Sequence, residues 1–515
     1  MVAYNGLLIE VQRSNLYACN VLADRRIVSS TGLSPLPTPS TRRCSLPTNF
    51  VVIFLDDHAQ WALSTYGNSE VRTPNLDYLA NTGTRMDNAF TPTPVCSPSR
   101  ACFLSGKTAS QHGVHDYLDV WATGANERNW MERERTLPEI LHEAGYTTGL
   151  SGKWHLGRNF EPAAGFDYWH ELGDVNSDPT LISPWPTAAA APQAQNPHNV
   201  TDRAVEFLRA RDSASPFFLF VGYYGTHSPW RGRPERLVSG YRQCSFADVP
   251  VEPTHPFGRL SSESLMPETR DRREALSQYY ASVTATDEQV GRLVDELDAQ
   301  GVREDTMIIY TSDHGLNLGH HGIWGKGNGT KPYNMVDESI RIPLIINQPG
   351  TVLPSQVRGE YVTHCDLFST VLEHAEVEAP EEQERSPRPS RSYLPLLRGG
   401  KAPDMEQIVF GEYGDLRMAR TPDRKLLLRP DTGRHELFDL DRDPRETRNF
   451  YNTPGYEQDV QQLTTRIEEH FARHSDPDTD GLTVRQQPSF NPEEYWNHPD
   501  YDNLWWERNA QPARA

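Results

Sequence analysis

One apolar stretch near the start of the folded part of the chain constrains its architecture more than any other feature. Residues 50–55 are all apolar, several of them β-branched, and Asp56 and Asp57 follow at once. Such a run is typical of a strand buried on both faces, as in a parallel sheet covered by helices. The sequence therefore predicts a layered α/β domain with acidic residues directly after an inner strand.

Other apolar runs repeat this pattern. Residues 217–221 run into a turn that contains histidine, and residues 307–311 are followed by Asp313 and His314. A fourth run, 342–346, is a candidate neighbour in the same sheet. Ligands of open α/β sheets bind beyond the carboxyl ends of the strands, so we expect these polar residues to face one site.

Helical patterns separate the runs. Residues 137–144 end before Gly145, and residues 276–300 carry apolar side chains on one face and end before Gly301. Glycine is a common helix stop because it adopts the left-handed conformation at little steric cost. Strands that alternate with helices predict an α/β fold with a mainly parallel sheet flanked by helices.

The character of the sequence changes near the C-terminus. Residues 376–391 are rich in Glu, Pro, Arg and Ser, which is typical of a loop or linker. Short strand patterns follow at 408–410, 417–419 and 425–428, and apolar residues recur at helical spacing over 460–471. These patterns predict a smaller C-terminal α+β domain, with an antiparallel sheet plus a helix.

Four parts follow along the chain. We predict a poorly structured leader over 1–48, a catalytic domain over 49–385, the C-terminal α+β subdomain over 386–474 and a tail over 475–515. The leader lacks the pattern of a secretory signal, which favours a cytoplasmic location, with export to the periplasm or medium as the alternative. No stretch reaches the roughly 18 apolar residues of a membrane helix, so no membrane span is expected.

The charge balance argues against one class of partner. The chain carries 50 Lys and Arg against 70 Asp and Glu, which gives a net charge of −20. Nucleic-acid-binding proteins normally show a basic surface, so no nucleic-acid partner is expected. A cleft lined by a few cations can still attract a small anion, because the cleft focuses their local field.

The acidic residues at the strand ends are candidate metal ligands. Asp56, Asp57, Asp313 and His314 would meet if their strands were neighbours in the sheet. Paired carboxylates supply the hard oxygen ligands that Ca²⁺ and Mg²⁺ prefer. The alternative is that both motifs contain only ordinary turn residues.

The segment around Cys96 is the second candidate for chemistry. Pro98 favours the first turn of a helix, so Cys96 is expected just before that helix, at its positive end, where an anion is stabilised. Arg100 follows one turn later and can point at the same place. A nucleophile beside an anion-binding group is thus one interpretation, and a buried thiol preceding a helix is the other.

These motifs, taken with several others, resemble the signatures of the type I sulfatases, members of the alkaline phosphatase superfamily. The matching blocks are Asp56-Asp57, Cys96-Ser97-Pro98-Ser99-Arg100, Leu104-Ser105-Gly106-Lys107, Gly152-Lys153-Trp154-His155-Leu156-Gly157, His227-Ser228-Pro229-Trp230, Asp313-His314-Gly315, His321-Gly322-Ile323-Trp324-Gly325-Lys326 and Glu436-Leu437-Phe438-Asp439-Leu440. The resemblance covers roughly residues 49–474 and implies the alkaline-phosphatase-like α/β fold.

The resemblance also implies an activity, that of a sulfatase, or sulfuric ester hydrolase. In that family the cysteine is converted after translation to Cα-formylglycine, which implies a formylglycine-generating enzyme as a partner during maturation. One hydroxyl of the hydrated formylglycine attacks the sulfur and the ester alcohol leaves. The second hydroxyl then collapses back to the aldehyde and expels sulfate. The metal ligands implied here are Asp56, Asp57, Cys96, Asp313 and His314, with Ca²⁺ as the cofactor and Mg²⁺ as an alternative.

Roles for the other matched residues follow from the same resemblance. Arg100 and Lys153 would hold the formylglycine hydroxyl and neighbouring oxygens. His155 would accept the proton of the second hydroxyl. His227 and Lys326 would contact sulfate and assist the leaving oxygen. Each of these lysines and histidines has a simpler interpretation as a surface or structural residue.

The substrate and the rival functions are less constrained. The substrate is expected to be a sulfate monoester, with a saccharide favoured by the 11 tryptophans and by the breadth of the family. His314 stands where many family members have asparagine, and phosphonate monoester and phosphodiester hydrolases of the superfamily share both the cysteine signature and this Asp-His pair. Such a hydrolase is the first alternative, and an inactive binding protein with unmodified Cys96 is the second.

Several neighbours of the motifs receive other expectations. His320 and His321 are expected to be structural, Cys102 to be buried on a helix, and Lys107 to support the turn after it rather than to touch sulfate. Candidates for lining a substrate pocket are Tyr66, Asn68 and the aromatic residues around Trp230.

Overall fold

The computed structural model describes residues 48–118, 128–159, 161–171, 197–228, 230–253, 255, 258, 271–380, 386–401 and 405–484. The predicted leader, apart from its last residue, and the tail beyond 484 lie outside the described residues. The domain boundaries at 385 and 474 stay predictions. In the part of the chain that the structure describes, every helix is too short or too polar to cross a bilayer.

A mixed sheet of eight strands forms the centre of the protein. These eight strands and a separate pair are, in chain order, β1 (Asn49–Leu55), β2 (Thr84–Phe90), β3 (Thr147–Gly152), β4 (Tyr168–Glu171), β5 (Phe217–Tyr223), β6 (Thr306–Ser312), β7 (Asn317–Leu318), β8 (Trp324–Gly325), β9 (Leu344–Asn347) and β10 (Gln356–Thr363). β7 and β8 pair separately as a small hairpin, and the others are arranged in space as β10-β2-β9-β6-β1-β5-β3-β4.

The four strands predicted from apolar runs lie side by side. β1 pairs in parallel with both β5 and β6, so that Val52 lies between Phe220 and Ile309. β9 neighbours β6, as expected, but runs antiparallel both to it and to β2. The prediction of a mainly parallel sheet is therefore confirmed, with one reversed strand that the apolar pattern does not reveal, because burial on both faces is independent of strand direction.

Helices cover both faces of this sheet. They are α1 (Pro74–Asn81), α2 (Cys96–Ser105), α3 (Ala109–His112), α4 (Leu137–Glu143), α5 (Pro197–Ala210), α6 (Glu235–Tyr241), α7 (Arg272–Ala299), α8 (Asp337–Ile340), α9 (His364–Ala375) and α10 (Leu394–Leu397), with 3-10 turns at Gln60–Ala62, Ser64–Tyr66, His320–Gly322 and Gly327–Gly329. The helical patterns predicted at 137–144 and 276–300 are α4 and α7, and the glycines beyond them, Gly145 and Gly301, have φ values of +92° and +70°.

The central strand supplies side chains to two separate cores. Val51 and Ile53 pack with α7 on one face, and Phe50 and Phe54 pack with α2 and α9 on the other. Burying each such side chain stabilises the fold by about 1.5–3 kcal/mol. Because β1 pairs with β5 on one side and β6 on the other along its length, the residues that follow it are held at the carboxyl edge of the sheet.

A second, smaller sheet follows near the C-terminus. Its antiparallel strands are β11 (Val409–Tyr413), β12 (Leu416–Arg420), β13 (Arg424–Leu428) and β14 (Glu436–Asp439), and α11 (Glu457–His474) follows them. Leu463, Ile467 and Phe471 of α11 pack against Leu426 and Leu437 of the sheet. The predicted antiparallel sheet and the apolar helix stripe are both confirmed.

Buried ion pairs join this small sheet to the larger one. Lys425 on β13 has no exposed surface, and its Nζ lies 2.6 Å from Asp337 Oδ1 on α8. The same ammonium group contacts the Glu446 carboxylate, and Arg420 lies 2.8 Å from Asp337. Burial without a partner would cost several kcal/mol per charge, so these pairs fix how the two sheets meet.

Candidate active site

The polar residues after the inner strands meet at one edge of the central sheet. Asp56 and Asp57 follow β1, and Asp313 and His314 follow β6. A backbone hydrogen bond holds the two pairs next to each other at this edge, because Asp313 N donates to Leu55 O at 2.9 Å. The arrangement at the carboxyl ends of parallel strands agrees with the expectation from sequence.

Cys96 lies at the start of a fully buried helix. It is the first residue of α2 rather than the residue before it, and Pro98 lies in the first turn as predicted. Every residue of α2 is buried, and Gly106 ends the helix with φ +70°. The helix therefore presents Cys96 at its amino end, where the helix dipole favours negative charge.

The thiol of Cys96 contacts two of the predicted site residues. Lys326 Nζ lies 2.9 Å from Cys96 Sγ, and His314 Nε2 lies 3.4 Å from it. Lys326 also bonds to a carboxylate oxygen of Asp57. A cation beside the sulfur favours any anionic oxygen or sulfur held at this position.

Four acidic, sulfur and imidazole groups form a compact candidate metal centre. The ligand atoms of Asp56, Cys96, Asp313 and His314 all lie within 4.8 Å of one another. A second group, which overlaps the first and has the same limit of 4.8 Å, consists of Asp56, Asp57, Cys96 and His227. Asp56 Oδ1 is buried and has no hydrogen-bond partner. A hard cation would satisfy this oxygen, so the donor set fits Ca²⁺ or Mg²⁺.

The predicted cations surround this centre. Arg100 Nη2 lies 3.1 Å from Asp313 Oδ2, and its Nη1 donates to the Lys153 carbonyl at 3.0 Å. Lys153 Nζ bonds to Asp56. The side chains of Arg100 and Lys153 are both almost completely buried. Because charges interact strongly away from water, these contacts hold the site residues in one geometry.

Proton affinities in the site follow from these contacts. Burial alone would raise the pKa of the Asp56 carboxyl, but Lys153 and His227 hold it well below its usual value. Burial would lower the pKa of Lys326, whereas Asp57 and Cys96 raise it well above its ordinary range. The site therefore keeps its carboxylate and its ammonium charged near neutral pH.

His155 is held in a single tautomer. Its Nε2 lies 2.7 Å from the Leu118 carbonyl oxygen, which only accepts, so Nε2 carries the proton. Its Nδ1 is buried and has no hydrogen-bond partner. Burial first, and then Lys153, lowers the pKa of this imidazole well below its usual value. His155 is therefore a neutral base with a free lone pair at Nδ1.

His227 differs from His155 in its charge. Its ring stacks on Tyr224 at 4.7 Å, its Nδ1 lies 2.6 Å from the Ser228 carbonyl, and its Nε2 is 3.8 Å from Asp57 Oδ2. Burial opposes protonation, but Asp57 and Asp56 raise the pKa of this imidazole above its usual value. His227 is thus suited to donate a proton.

The structure also shows two neighbours of the site, Tyr224 and Ser99, to which the sequence motifs assigned no role. Tyr224 lies under both His227 and Lys153, whose Nζ is 5.0 Å from the ring centroid. Ser99 bonds to the Asp313 carbonyl and so ties α2 to the second acidic pair. Tyr224 follows the apolar run 217–221 by three residues, which is a usable signal. Ser99 stands in the matched block around Cys96, but nothing in the sequence indicates its contact with Asp313.

The residues predicted to line a substrate pocket have local contacts in the fold. Tyr66 OH bonds to backbone at Met86 and Leu344, and Asn68 Oδ1 accepts from Val71 N at 2.8 Å. Trp230 is 2% exposed and packs in the core on the α7 side of the sheet. Tyr66 and Asn68 therefore use these polar atoms to fix local chain geometry, and their role in lining a substrate pocket stays a prediction.

Other expectations about neighbouring residues agree with the contacts. Cys102 is buried on α2. Lys107 Nζ pairs with Glu134 at 2.8 Å, away from the metal ligands. His321 Nε2 lies 2.8 Å from Glu338, and the ring of His320 packs on Trp61. These residues therefore support the fold around the site.

Comparisons with known proteins agree with this geometry. Residues 48–377 match the family profile described as Sulfatase, and residues 319–473 match the profile described as N-sulphoglucosamine sulphohydrolase, C-terminal. An N-acetylglucosamine-6-O-sulfatase of Bacteroides thetaiotaomicron is 27% identical, over 88% of this chain and 92% of that protein. The sulfatase YidJ of Escherichia coli, itself uncharacterized, is 30% identical, over 78% of this chain and 82% of that protein.

Solved structures share the same architecture. A protein in complex with its substrate D-glucosamine-2-N,6-O-disulfate superposes with a TM-score of 0.67, at 25% identity, over 84% of this chain and 99% of that one. A phosphonate monoester hydrolase of Agrobacterium radiobacter gives the same TM-score at 19% identity, over 83% of this chain and 96% of its own, which is a likeness of fold alone. On the family profile that covers most of its length, this chain belongs to the sulfatase family, which generally uses a metal and a formylglycine.

Proposed function

We propose that this protein hydrolyses a sulfate monoester on a saccharide, using a formylglycine formed from Cys96 and a bound Ca²⁺. One observation carries the proposal: the Cys96 thiol lies in contact with Lys326 and beside a carboxylate set that includes an unsatisfied Asp56 oxygen. The names of the curated relatives, among them an N-acetylglucosamine-6-O-sulfatase, support a saccharide as the carrier of the sulfate.

The metal and the modified cysteine have separate contributions. When present, they supply a hydroxyl nucleophile with a lowered pKa and a Lewis acid that polarises the sulfate oxygens. Asp56, Asp57, Asp313 and His314 would hold the ion, since their ligand atoms converge there. The carboxylates provide hard oxygen donors, which suits Ca²⁺ better than a softer transition metal.

The residues of the chain would then handle charge and protons. Arg100 and Lys153 fix the acidic groups around position 96 and add positive charge where negative charge develops. His155 would accept a proton at Nδ1, the ring nitrogen that has no partner. His227 would donate a proton to the leaving ester oxygen, because the adjacent acidic pair favours its charged form.

Maturation of Cys96 is the first test. Formylglycine is about 18 Da lighter than cysteine, so mass spectrometry of the tryptic peptide that contains Cys96 distinguishes the two residues. We expect the lighter peptide from protein made in its native host or together with a formylglycine-generating enzyme. An unmodified peptide from the native host, with no bound metal, would support the inactive binding protein instead.

The second test compares substrates. A phosphonate monoester hydrolase with the same site is the rival, and the Asp313-His314 pair is the feature that favours it. Parallel assays with an aryl sulfate, a phosphate diester and a phosphonate monoester separate the two functions. We expect the sulfate ester to be turned over with the highest kcat/KM, and dominant phosphonate turnover would overturn the proposal.

A further inference from the structure

A short segment connects the candidate base to the C-terminal sheet. The Leu118 carbonyl accepts a hydrogen bond from His155 Nε2, and Leu118 N donates to Ser97 Oγ at 3.2 Å, next to Cys96. The Tyr117 ring meets the His155 ring edge-on at 4.7 Å. Residues 116–118 therefore contact both the nucleophile helix and the base.

Hydrogen bonds to the Asp116 carboxylate hold this segment in place. Asp116 is 6% exposed, and its Oδ1 accepts from Tyr117 N at 2.7 Å. Tyr413 OH on β11 donates to the same oxygen, and Tyr333 OH donates to Oδ2 at 2.8 Å. The rings of Tyr333 and Tyr413 stack on each other, with their centroids 3.8 Å apart and an angle of 3° between their planes. A carboxylate with three donors from separate parts of the chain has little freedom to move.

We propose that Asp116 is a positioning residue that sets the tautomer of His155. Through Tyr117 N it fixes the peptide that leads to the Leu118 carbonyl, and that carbonyl holds the proton on Nε2 and leaves Nδ1 available as a base. The role in turnover rests on the proposed function, whereas the role in the tautomer does not. The C-terminal sheet, through Tyr413, thus contributes to the geometry of the base.

The first experiment measures turnover. Asp116→Ala removes all three acceptor contacts, and we expect kcat for an aryl sulfate to fall roughly 10- to 100-fold with KM changed by less than about threefold, because the base is displaced while the sulfate contacts remain. Asp116→Asn keeps a carbonyl oxygen for Tyr117 N, so it should restore most of kcat. Tyr413→Phe should give an intermediate loss.

The second experiment observes the imidazole directly. ¹⁵N-histidine NMR, with His155 assigned from a His155→Gln variant, reports which ring nitrogen carries the proton, and it needs neither modified Cys96 nor turnover. We expect a proton on Nε2 in the wild-type protein and a mixture of tautomers in Asp116→Ala. If Asp116→Ala does not fold, Tyr413→Phe and Asp116→Asn are compared with the wild-type protein in the same way.

A matched control separates positioning from stability. Asp366 is also buried and accepts backbone bonds, from Thr363 N at 2.7 Å and Arg391 N at 2.8 Å, but it does not contact residues 116–118. Asp366→Ala should lower Tm and leave kcat per folded molecule and the His155 tautomer unchanged.

The outcomes are distinguishable. A folded Asp116→Ala protein with unchanged kcat and an unchanged tautomer overturns the positioning role. A wild-type protein that lacks sulfatase activity overturns the proposed function, while the NMR result still decides the role of Asp116. An equal loss of kcat in the Asp366 variant would show that general destabilisation explains the effect, and so would also overturn it.

Discussion

At the scale of single residues, the site depends on a few side chains whose charges are set by one another. Asp56, Asp57 and Asp313 are three carboxylates in a small buried volume, and Arg100, Lys153 and Lys326 balance them. Buried charges are tolerated only when they are paired in this way. Changing one of these six side chains should therefore alter the charge balance of the others. Conservative substitutions are for this reason the most informative.

Cys96→Ala should abolish turnover and leave the fold intact. The substitution removes the thiol and the formylglycine that would form from it, and Lys326 keeps its partner Asp57, so no charge is left unpaired. Turnover of an aryl sulfate and Tm are the measurements. Cys102→Ala on the same helix is the matched control, which should cost about 1 kcal/mol of stability and retain activity. Substantial activity in Cys96→Ala would refute the nucleophile.

Asp313→Asn should weaken metal binding. The change removes one of three negative charges from the ligand set and also the ionic partner of Arg100. Calcium affinity measured by calorimetry should drop roughly tenfold or more, since ligand charge sets affinity. Asp441→Asn, on a residue that is 74% exposed, is the control and should bind as the wild type does. Equal affinity in Asp313→Asn would exclude Asp313 as a ligand.

At the scale of elements, the strands and helices determine where each functional group lies along the edge of the sheet. β1 and β6 bring two acidic pairs to one edge, and α2 brings Cys96 to meet them. Side-chain contacts also fix the positions of helices on the α7 side of the sheet. There α7 carries Asp287, whose carboxylate accepts from Asn75 N and Leu76 N at the start of α1, at 3.2 and 2.8 Å. A buried carboxylate thus joins two helices.

Asp287 should make stability depend on pH. Burial raises the pKa of its carboxyl from 3.8 to about 6, against the backbone bonds that lower it. The folded protein therefore binds a proton more tightly than the unfolded chain between these values, so stability falls as pH rises from 3.8 through about 6.

Asp287→Asn removes this dependence and provides the test. Urea unfolding of both proteins should show the wild type losing stability relative to the variant, by an order of 2–3 kcal/mol, between pH about 4 and about 7. Asp441→Asn serves again as the exposed control and should track the wild type across the range. A constant difference between wild type and Asp287→Asn would contradict the raised pKa.

At the scale of the whole molecule, two sheets are joined by buried charge rather than by apolar contact alone. Lys425 on the small sheet reaches Asp337 and Glu446, and its Nζ also donates to the Met335 carbonyl at 3.0 Å. The same junction holds Tyr413 against Asp116. Assembly of the C-terminal sheet and organisation of the active site are therefore linked.

Lys425→Met should destabilise the protein strongly. It leaves the fully buried Glu446 carboxylate without its cation, which costs about 3–5 kcal/mol in comparable cases. Urea unfolding measures the loss, and Lys401→Met, at an exposed position, should have little effect. A loss of less than about 1 kcal/mol would show that Glu446 becomes protonated and that the pairs are not essential.

The sequence by itself predicted the inner strands, the helical patterns between them and a set of candidate site residues that the fold brings together. Apolar runs are recognisable because strands buried on both faces need them, and short motifs are recognisable because chemistry needs fixed residue types at fixed positions along the chain. Cys96, Arg100, Lys153 and Lys326 all lie together, as the motif resemblance implied.

Only the tertiary structure decided what those residues contact. The reversed direction of β9 and the burial of Trp230 depend on packing between distant segments, for which no local pattern exists. The Leu118 carbonyl under His155 and the tyrosines under Asp116 are contacts between parts of the chain far apart in sequence. A backbone carbonyl has no side chain for a motif to record, so its role at the active site is visible only in the folded molecule.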